Sequence, residues 1–154
     1  MSDKKPDIKK IKKISEDLLK KLSPEAQVNV LPQELTISID VKTGDPQELI
    51  GENAEILLSL QHLLRAILRR IVEAPHFIEL DVNSYKKRRK EYLKEMALSL
   101  ANEVSLAKKE KHLPAMNAYE RRIIHMELSV RPDVATESRG YGANRKVVIK
   151  PALK

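Results

Sequence analysis

Residues 7–82 alternate between helical and strand-like hydrophobic spacing, and the order of these segments leaves few possible folds. Apolar side chains at every third or fourth position predict helices, whereas alternation of apolar and polar residues predicts strands with one buried face. The predicted elements are a helix over 7–22, strands over 28–30 and 35–41, a short helical turn over 47–50, a helix over 55–72 and a strand over 77–82. This order predicts an α+β domain in which helices pack against a three-stranded sheet.

Residues 83–154 predict a second, smaller α+β group of elements. A long helix is expected first, with Tyr92 in its apolar stripe and five consecutive cations at Lys86–Lys90 in its first turns. Positive charges at a helix N-terminus interact unfavourably with the helix dipole and repel one another. This cluster is therefore easier to explain if it binds an anion. The expected elements are helices over 84–109 and from 117 onward, and strands over 134–138 and 145–149.

The helix that follows Asn117 carries the densest group of candidate binding residues. Asn117 is a favourable N-cap, and Glu120 three residues later can complete a capping box. Arg121 and His125 are one turn apart, so they project from the same face, where a guanidinium beside an imidazole suits a phosphate. A helical projection predicts a buried apolar arc made of Tyr119, Ile123, Ile124, Met126, Leu128 and Val130. It places on the opposite, water-facing side Arg121, Arg122, His125 and Ser129.

Composition and charge narrow the classes of function. The chain has no Cys, which excludes disulfides and thiolate metal sites, and no run approaches the roughly 18 apolar residues that indicate a membrane span. The first residues lack the apolar segment of a secretory signal, and a cytoplasmic location is expected. The net charge of +7 is uneven, because residues 1–82 hold 12 Lys and Arg against 14 Asp and Glu, whereas residues 83–154 hold 17 against 8. Such a positive field attracts polyanions, most commonly nucleic acid.

Three motifs in a fixed order resemble a known family. They are Asp81-Val-Asn-Ser-Tyr85-Lys-Lys-Arg88-Arg89, Met116-Asn117-Ala-Tyr119-Glu120-Arg121-Arg122-Ile-Ile-His125 and Asn144-Arg145-Lys-Val147-Val148-Ile149-Lys150-Pro151. The chain resembles the Jag (SpoIIIJ-associated) family of bacterial RNA-binding proteins, which joins a KH domain to a domain named for its Arg-x-x-x-His motif. The resemblance implies a type II KH-like domain over 7–82, after a flexible N-terminus over 1–6, and an Arg-x-x-x-His domain over 83–154 that binds single-stranded nucleic acid. The extra N-terminal domain of many members is expected to be lacking.

The loop at 51–54 departs from the family pattern. KH loops of this family read Gly-x-x-Gly, usually with a basic residue inside, and their glycines let the backbone lie close to nucleotides. Here the loop reads Gly51-Glu52-Asn53-Ala54, so the second glycine is replaced by alanine and Glu52 repels phosphate. We therefore expect weak RNA binding by the KH-like half, which serves as a packing scaffold or as a pairing surface.

The expected function is non-enzymatic binding of single-stranded RNA. The candidate nucleic-acid-binding residues are Arg121, His125, Arg122, Arg145, Lys146, Arg88, Arg89, Lys86 and Tyr141. Tyr141 either stacks on a base or covers a sheet edge. Single-stranded DNA is an alternative ligand, and an adapter that pairs with a second KH protein is an alternative function. The four His residues are scattered without a metal-binding or catalytic pattern, so no metal, cofactor or enzymatic activity is expected. Membrane insertion is not expected either, because the chain has no apolar run of sufficient length.

Overall fold

The structure is a computed structural model that describes residues 5–72 and 76–153. These residues group into two compact units that divide between Lys86 and Lys87. The division falls inside a continuous helix, four residues beyond the boundary after residue 82 that the sequence predicts. Most of the expected flexible N-terminus, residues 1–4, lies outside the described residues.

The first unit is built around one mixed three-stranded sheet. Its described elements are α1 (Ile8–Leu22), β1 (Gln27–Pro32), β2 (Thr36–Lys42), α2 (Gln47–Ile50), α3 (Glu55–Leu68) and β3 (Phe77–Val82). β2 is the central strand, antiparallel to β1 and parallel to β3. The predicted order of helices and strands is confirmed. The helix predicted over 55–72 is too long at its C-terminal end, because the observed α3 ends at Leu68 and residues 69–71 form turns.

Alternation along the strands places the core of the first unit on one side of its sheet. Ile37, Ile39 and Val41 of β2 are fully buried or nearly so, and Leu64 of α3 is buried in the same cluster. A strand paired on only one side leaves backbone groups open along its other edge. The side chain of Gln61 in α3 accepts a backbone N–H of β3, so the first unit presents a protected edge there.

The loop between α2 and α3 holds its backbone in left-handed conformations. Gly51 has φ +73°, and a Cβ atom added to it lies 2.6 Å from Cγ1 of Ile56. Asn53 and Ala54 follow with φ of 53° and 60°. Ala54 therefore occupies the backbone geometry that favours glycine, at the position where the family pattern has its second glycine.

The second unit packs two helices against one face of an antiparallel sheet. Its elements are α4 (Tyr85–Ala107, from Lys87 onward), β4 (Lys111–His112), α5 (Ala118–Leu128), β5 (Val134–Arg139) and β6 (Lys146–Pro151). β6 is the central strand, between β4 and β5. The core of this unit joins Leu93 and Ala97 of α4 to Ile124 of α5 and to Val147 and Ile149 of β6.

Strand register decides which side chains of β5 and β6 face the helices. Thr136 lies opposite Ile149 and Ser138 lies opposite Val147, so these two hydroxyl residues share the core-facing side of the sheet. Arg139 lies opposite Lys146 on the other side. The sheet therefore has one face that meets α4 and α5 and one face that carries charged side chains.

Candidate nucleic-acid interface

The helix α5 begins as the sequence predicts. The side chain of Asn117 accepts a hydrogen bond of 2.9 Å from the backbone N–H of Glu120, which is the N-cap contact. The carboxylate of Glu120 accepts from Nε of Arg89 at 2.8 Å. The first turn of α5 is therefore fixed by its own cap and by an ion pair to α4.

The predicted buried arc of α5 is wrong at three of its six positions. Ile123, Ile124 and Leu128 are buried, but Tyr119, Met126 and Val130 are exposed. The helix meets the rest of the unit along a narrow stripe, because it packs on one face of one sheet. Side chains on its outer flank, and Val130 beyond its last residue, therefore stay in water.

His125 is not on the water-facing side where the projection puts it. Its Nδ1 lies 2.7 Å from Oγ1 of Thr136 and its Nε2 lies 2.9 Å from Oγ of Ser138, so the half-buried ring faces β5. Burial lowers the pKa of His125, and the nearby guanidinium groups of Arg121 and Arg145 lower it further. Both effects favour the neutral imidazole, and the arginines carry the permanent positive charge of this cluster.

Arg121 and Arg145 flank His125 and make hydrogen bonds to backbone carbonyls. Nε of Arg121 donates to the carbonyl of Met116 at 3.3 Å, and Nη1 of Arg145 donates to the carbonyl of Gly140 at 2.7 Å. Across residues 5–72 and 76–153, neither guanidinium lies within 4.0 Å of a carboxylate. Their charges are therefore not neutralised by the described part of the chain.

The structure separates Arg145 from Lys146, although they are adjacent in sequence. Lys146 lies opposite Arg139 on the charged face of the sheet, away from His125. That face carries an ion-pair network in which Arg139 contacts Glu110 and Glu137, and Lys150 contacts Glu137. Nucleic-acid binding by Lys146 stays a prediction, and the strand register places this residue on the face opposite to that of Val147.

The cationic run at the start of α4 is also divided. Lys86 belongs to the first unit, where burial lowers its pKa and its Nζ donates to Oε1 of Gln61 at 2.7 Å. Arg89 belongs to the second unit and lies over the ring of Tyr92, 5.4 Å from its centroid, besides its ion pair with Glu120. Arg88 and Arg122 are exposed. The structure therefore gives Lys86 and Arg89 different partners, and nucleic-acid binding by Lys86, Arg88 and Arg89 stays a prediction.

The turn between β5 and β6 presents Tyr141 to solvent. The Tyr141 side chain is 91% exposed, so it does not cover the sheet edge. Gly140 has φ +95°, and a Cβ atom there lies 3.0 Å from the carbonyl oxygen of Asn144. This turn therefore needs a glycine before the tyrosine, and the Arg145 hydrogen bond to Gly140 holds it in place.

Sequence reasoning missed two residues of this cluster, Thr136 and Ser138. The signal was present, because polar residues that alternate along a strand share one face. What the sequence does not show is that this face packs on α5, where His125 needs two hydrogen-bond partners.

The described residues hold no group of three or more His, Cys, Asp or Glu placed to bind a metal ion. Within that same part of the chain, no helix has the length and apolar character needed to cross a membrane.

Comparison with known proteins places this cluster in a defined domain. Residues 91–151 match the family of the R-three-H domain, which is named for its Arg-x-x-x-His motif. The second unit of this chain contains an R-three-H domain. Arg121 and His125 lie within the R-three-H domain, as do Arg145 and Tyr141.

A large part of the chain is also similar to several bacterial proteins named RNA-binding protein KhpB. The relative from Clostridium symbiosum is 35% identical over 116 residues, which are 75% of this chain and 52% of the relative. The relative from Bacillus subtilis strain 168 is 31% identical over 130 residues, which are 83% of this chain and 62% of the relative. The chain thus spans roughly half to three-fifths of the length of these relatives. These matches support the family resemblance seen in the sequence.

Proposed function

We propose that this chain binds single-stranded RNA, without catalysing a reaction, through the surface of the R-three-H domain around Arg121, His125 and Arg145. The observation that carries the proposal is that two guanidinium groups, with no carboxylate partner among the described residues, flank one imidazole. Other arginines of the R-three-H domain, such as Arg131, are held in ion pairs with carboxylates. Its relatives are named as RNA-binding proteins, which supports RNA as the ligand.

The chemistry of this surface suits a phosphate diester. A guanidinium presents several N–H donors in a plane and matches two phosphate oxygens at once. Arg121 and Arg145 supply two such groups. The exposed Arg122, which lies on α5 beside Arg121, adds a third positive charge. The start of α5 contributes the positive end of its helix dipole. Tyr141, on the turn held by Arg145, is placed to stack on a base beside the bound phosphate.

The proposed role of His125 is to support this surface in its neutral form. Thr136 and Ser138 orient the ring, and an arriving phosphate offsets the charges of Arg121 and Arg145 that lower its pKa. The pKa of His125 then rises when nucleic acid binds, and the ring adds positive charge beside the phosphate as the pH falls.

We propose a type II KH-like scaffold for the first unit. Its element order and its mixed sheet, with β2 parallel to β3, support this assignment. The loop Gly51–Ala54 keeps a left-handed backbone but carries Glu52, an acidic residue in place of the usual cation. RNA binding by this unit is therefore weaker than binding by the R-three-H domain.

Pairing with a second KH protein is the second candidate function. It is favoured by one observation, an exposed apolar stripe on α3 formed by Ile56, Leu63 and Ile67, which recur at helical spacing. A complex formed through such an apolar stripe is expected to persist at high salt, because salt screens interactions between charges and not hydrophobic contacts.

Fluorescence anisotropy across a salt series tests the main proposal. Labelled single-stranded RNA, single-stranded DNA and duplex are titrated with the wild type, with Arg121→Ala/Arg145→Ala, and with Lys109→Ala/Lys146→Ala. The two double variants remove equal charge, but neither lysine is among the cations that act on His125. Loss of charged hydrogen bonds worth about 1.5–3 kcal/mol each predicts a drop of at least tenfold for each arginine removed.

The salt dependence separates the two variants further. Removal of one phosphate contact reduces the slope of log affinity against log salt by about 0.7 for a single strand. The arginine variant is expected to have a clearly shallower slope, whereas the lysine variant keeps that of the wild type. Equal losses of affinity in both variants contradict the proposed site. If single-stranded DNA binds more tightly than RNA, the surface is assigned to DNA. If the chain binds no RNA but retains a KH partner at high salt, the pairing function is favoured.

A further inference from the structure

The second unit places all its tyrosines on the surface. The chain has only four Tyr, one Phe and no Trp. Tyr92, Tyr119 and Tyr141 are 54%, 63% and 91% exposed. The remaining tyrosine, Tyr85, packs against the core of the first unit. Because large rings stabilise a small core well, placing three of them in water indicates a use on the surface.

Each exposed tyrosine lies beside an arginine. The guanidinium of Arg89 lies over the ring of Tyr92. Tyr119 and Arg122 are three residues apart on α5, so they are neighbours on its surface. Tyr141 follows Gly140, whose carbonyl accepts from Arg145. Aromatic rings interleaved with cations are the arrangement by which proteins hold bases and phosphates of an unpaired strand.

A chain of contacts connects Tyr92 to Tyr119. Arg89 lies over Tyr92 and also donates to the carboxylate of Glu120 at 2.8 Å. Glu120 is the residue that follows Tyr119 in the first turn of α5. The two rings are therefore carried by neighbouring parts of α4 and α5, and the ion pair fixes these helices to one another at this point.

A second chain of contacts connects α5 to the turn that carries Tyr141. Arg121 donates to the carbonyl of Met116, and the backbone N–H of Met116 donates to the carbonyl of Arg145 at 3.1 Å. Arg145 in turn donates to Gly140. Hydrogen bonds thus link the segment that carries Tyr119 and Arg121 to the turn that carries Tyr141 and Arg145.

We propose that Tyr92 and Tyr119 are base-stacking residues that extend the binding surface from Tyr141 across α5 to α4. This inference rests on the proposed function, because it requires a strand whose phosphates contact Arg121 and Arg145. The ligand is an extended strand of several nucleotides with unpaired bases. Duplexes are excluded, since their bases stack on one another. Stacking tolerates any base, so affinity depends more on strand length and flexibility than on sequence.

The intact chain allows a direct test, because tyrosine is its only strongly fluorescent residue type. The variants are Tyr92→Leu/Tyr119→Leu and the matched control Tyr92→Phe/Tyr119→Phe, which keeps both rings. The ligands are an oligouridylate of about 12 nucleotides, within the range of known single-strand sites, and an abasic strand of equal charge. Affinity is measured by anisotropy, and stacking is followed as quenching of tyrosine emission in the wild type.

The leucine variant is expected to bind oligouridylate with lower affinity than the wild type. The expected loss of affinity is roughly five- to hundredfold for each base that is no longer stacked. The slope with salt stays that of the wild type, because the phosphate contacts remain, and the phenylalanine variant binds like the wild type. The abasic strand binds both variants and the wild type equally, and only oligouridylate quenches the wild-type emission.

Several outcomes overturn the inference and are distinct from failure of the proposed function. If the leucine variant binds oligouridylate like the wild type, or if the abasic strand binds the wild type as tightly as RNA, stacking is wrong while phosphate binding stands. If the wild type binds neither strand, the proposed function itself fails. If the phenylalanine variant loses as much as the leucine variant, the hydroxyl groups bind and stacking is again wrong.

Discussion

His125 of α5 and Thr136 of β5 share a hydrogen bond of 2.7 Å that ties the helix to the sheet. Ser138, two residues along the same strand, takes the other ring nitrogen at 2.9 Å. Hydroxyl groups donate or accept by rotating, so this pair satisfies the imidazole in its neutral and its protonated form. The residue that marks the R-three-H domain is therefore also a structural link inside it.

Replacing His125 by Ala is expected to destabilise the R-three-H domain. The change leaves two partly buried hydroxyls without their ring partner, which costs about 1–3 kcal/mol of unfolding free energy. Urea denaturation followed by circular dichroism measures the loss. His112→Ala is the matched control, because the exposed ring of His112 hydrogen-bonds to an exposed carboxylate, that of Glu110, and a change within about 0.5 kcal/mol is expected there. Equal losses in both variants contradict a structural role for His125.

The stability of the second unit is expected to fall in mild acid. Burial, followed by Arg121 and Arg145, lowers the pKa of His125 below its ordinary value of 6.5. In that window the unfolded chain binds more protons than the folded one, so the free energy of unfolding rises with pH. The contribution is complete above pH 6.5 and is lost as the pH falls through the folded-state pKa of His125.

The same electrostatics predict how variants move this pKa. Arg121→Ala and Arg145→Ala are each expected to raise the pKa of His125, because each removes a nearby positive charge. Arg139→Ala removes an equal charge from the other face of the sheet and is expected to leave it unchanged. NMR titration of the imidazole resonances gives the values. A rise in the Arg139 variant alone means that the local assignment is incorrect.

Gly51→Ala is expected to destabilise the first unit, whereas Gly44→Ala is not. An alanine at position 51 has to adopt a positive φ, and its Cβ atom lies 2.6 Å from Cγ1 of Ile56. Backbone strain and a steric clash therefore both destabilise the variant. The left-handed conformation alone costs about 1–2 kcal/mol. No heavy atom lies within 4 Å of a Cβ at Gly44, and its φ is not in the left-handed region. Thermal unfolding of the two variants should therefore differ by several degrees in midpoint, and equal midpoints contradict this loop geometry.

Gln61→Ala is expected to open the edge of β3. Oε1 of this buried side chain accepts from the backbone N–H of Leu80 at 3.1 Å and from Nζ of Lys86 at 2.7 Å. Nε of Arg65 protects the same edge by donating to the carbonyl of Ile78 at 2.8 Å. The loss of one buried partner costs about 1–3 kcal/mol in urea denaturation. His62→Ala, an exposed neighbour on the same helix, is the control and should unfold like the wild type.

Local patterns in the sequence were sufficient for the order of elements in the first unit and for most elements of the second, but they did not predict the two-residue strand β4. Helical spacing and alternation depend only on neighbouring residues, so they predict α1 and the strand pair of the first unit. Asn117 ends the loop before α5 by a contact three residues away, and the structure confirms it. The distribution of charged residues along the chain can be counted without knowledge of the fold, and it already assigns the positive field to the C-terminal half.

The sequence by itself thus determined most of the helices and strands, where α5 begins, and that Arg121 and His125 are one turn apart. Tertiary structure alone decided which side chains of α5 meet the sheet, so that Tyr119 became exposed and His125 turned towards β5. It also separated Arg145 from Lys146 through the register of β6. These outcomes depend on contacts between residues distant in sequence, where burial of one face of a sheet and the supply of hydrogen-bond partners outweigh local periodicity.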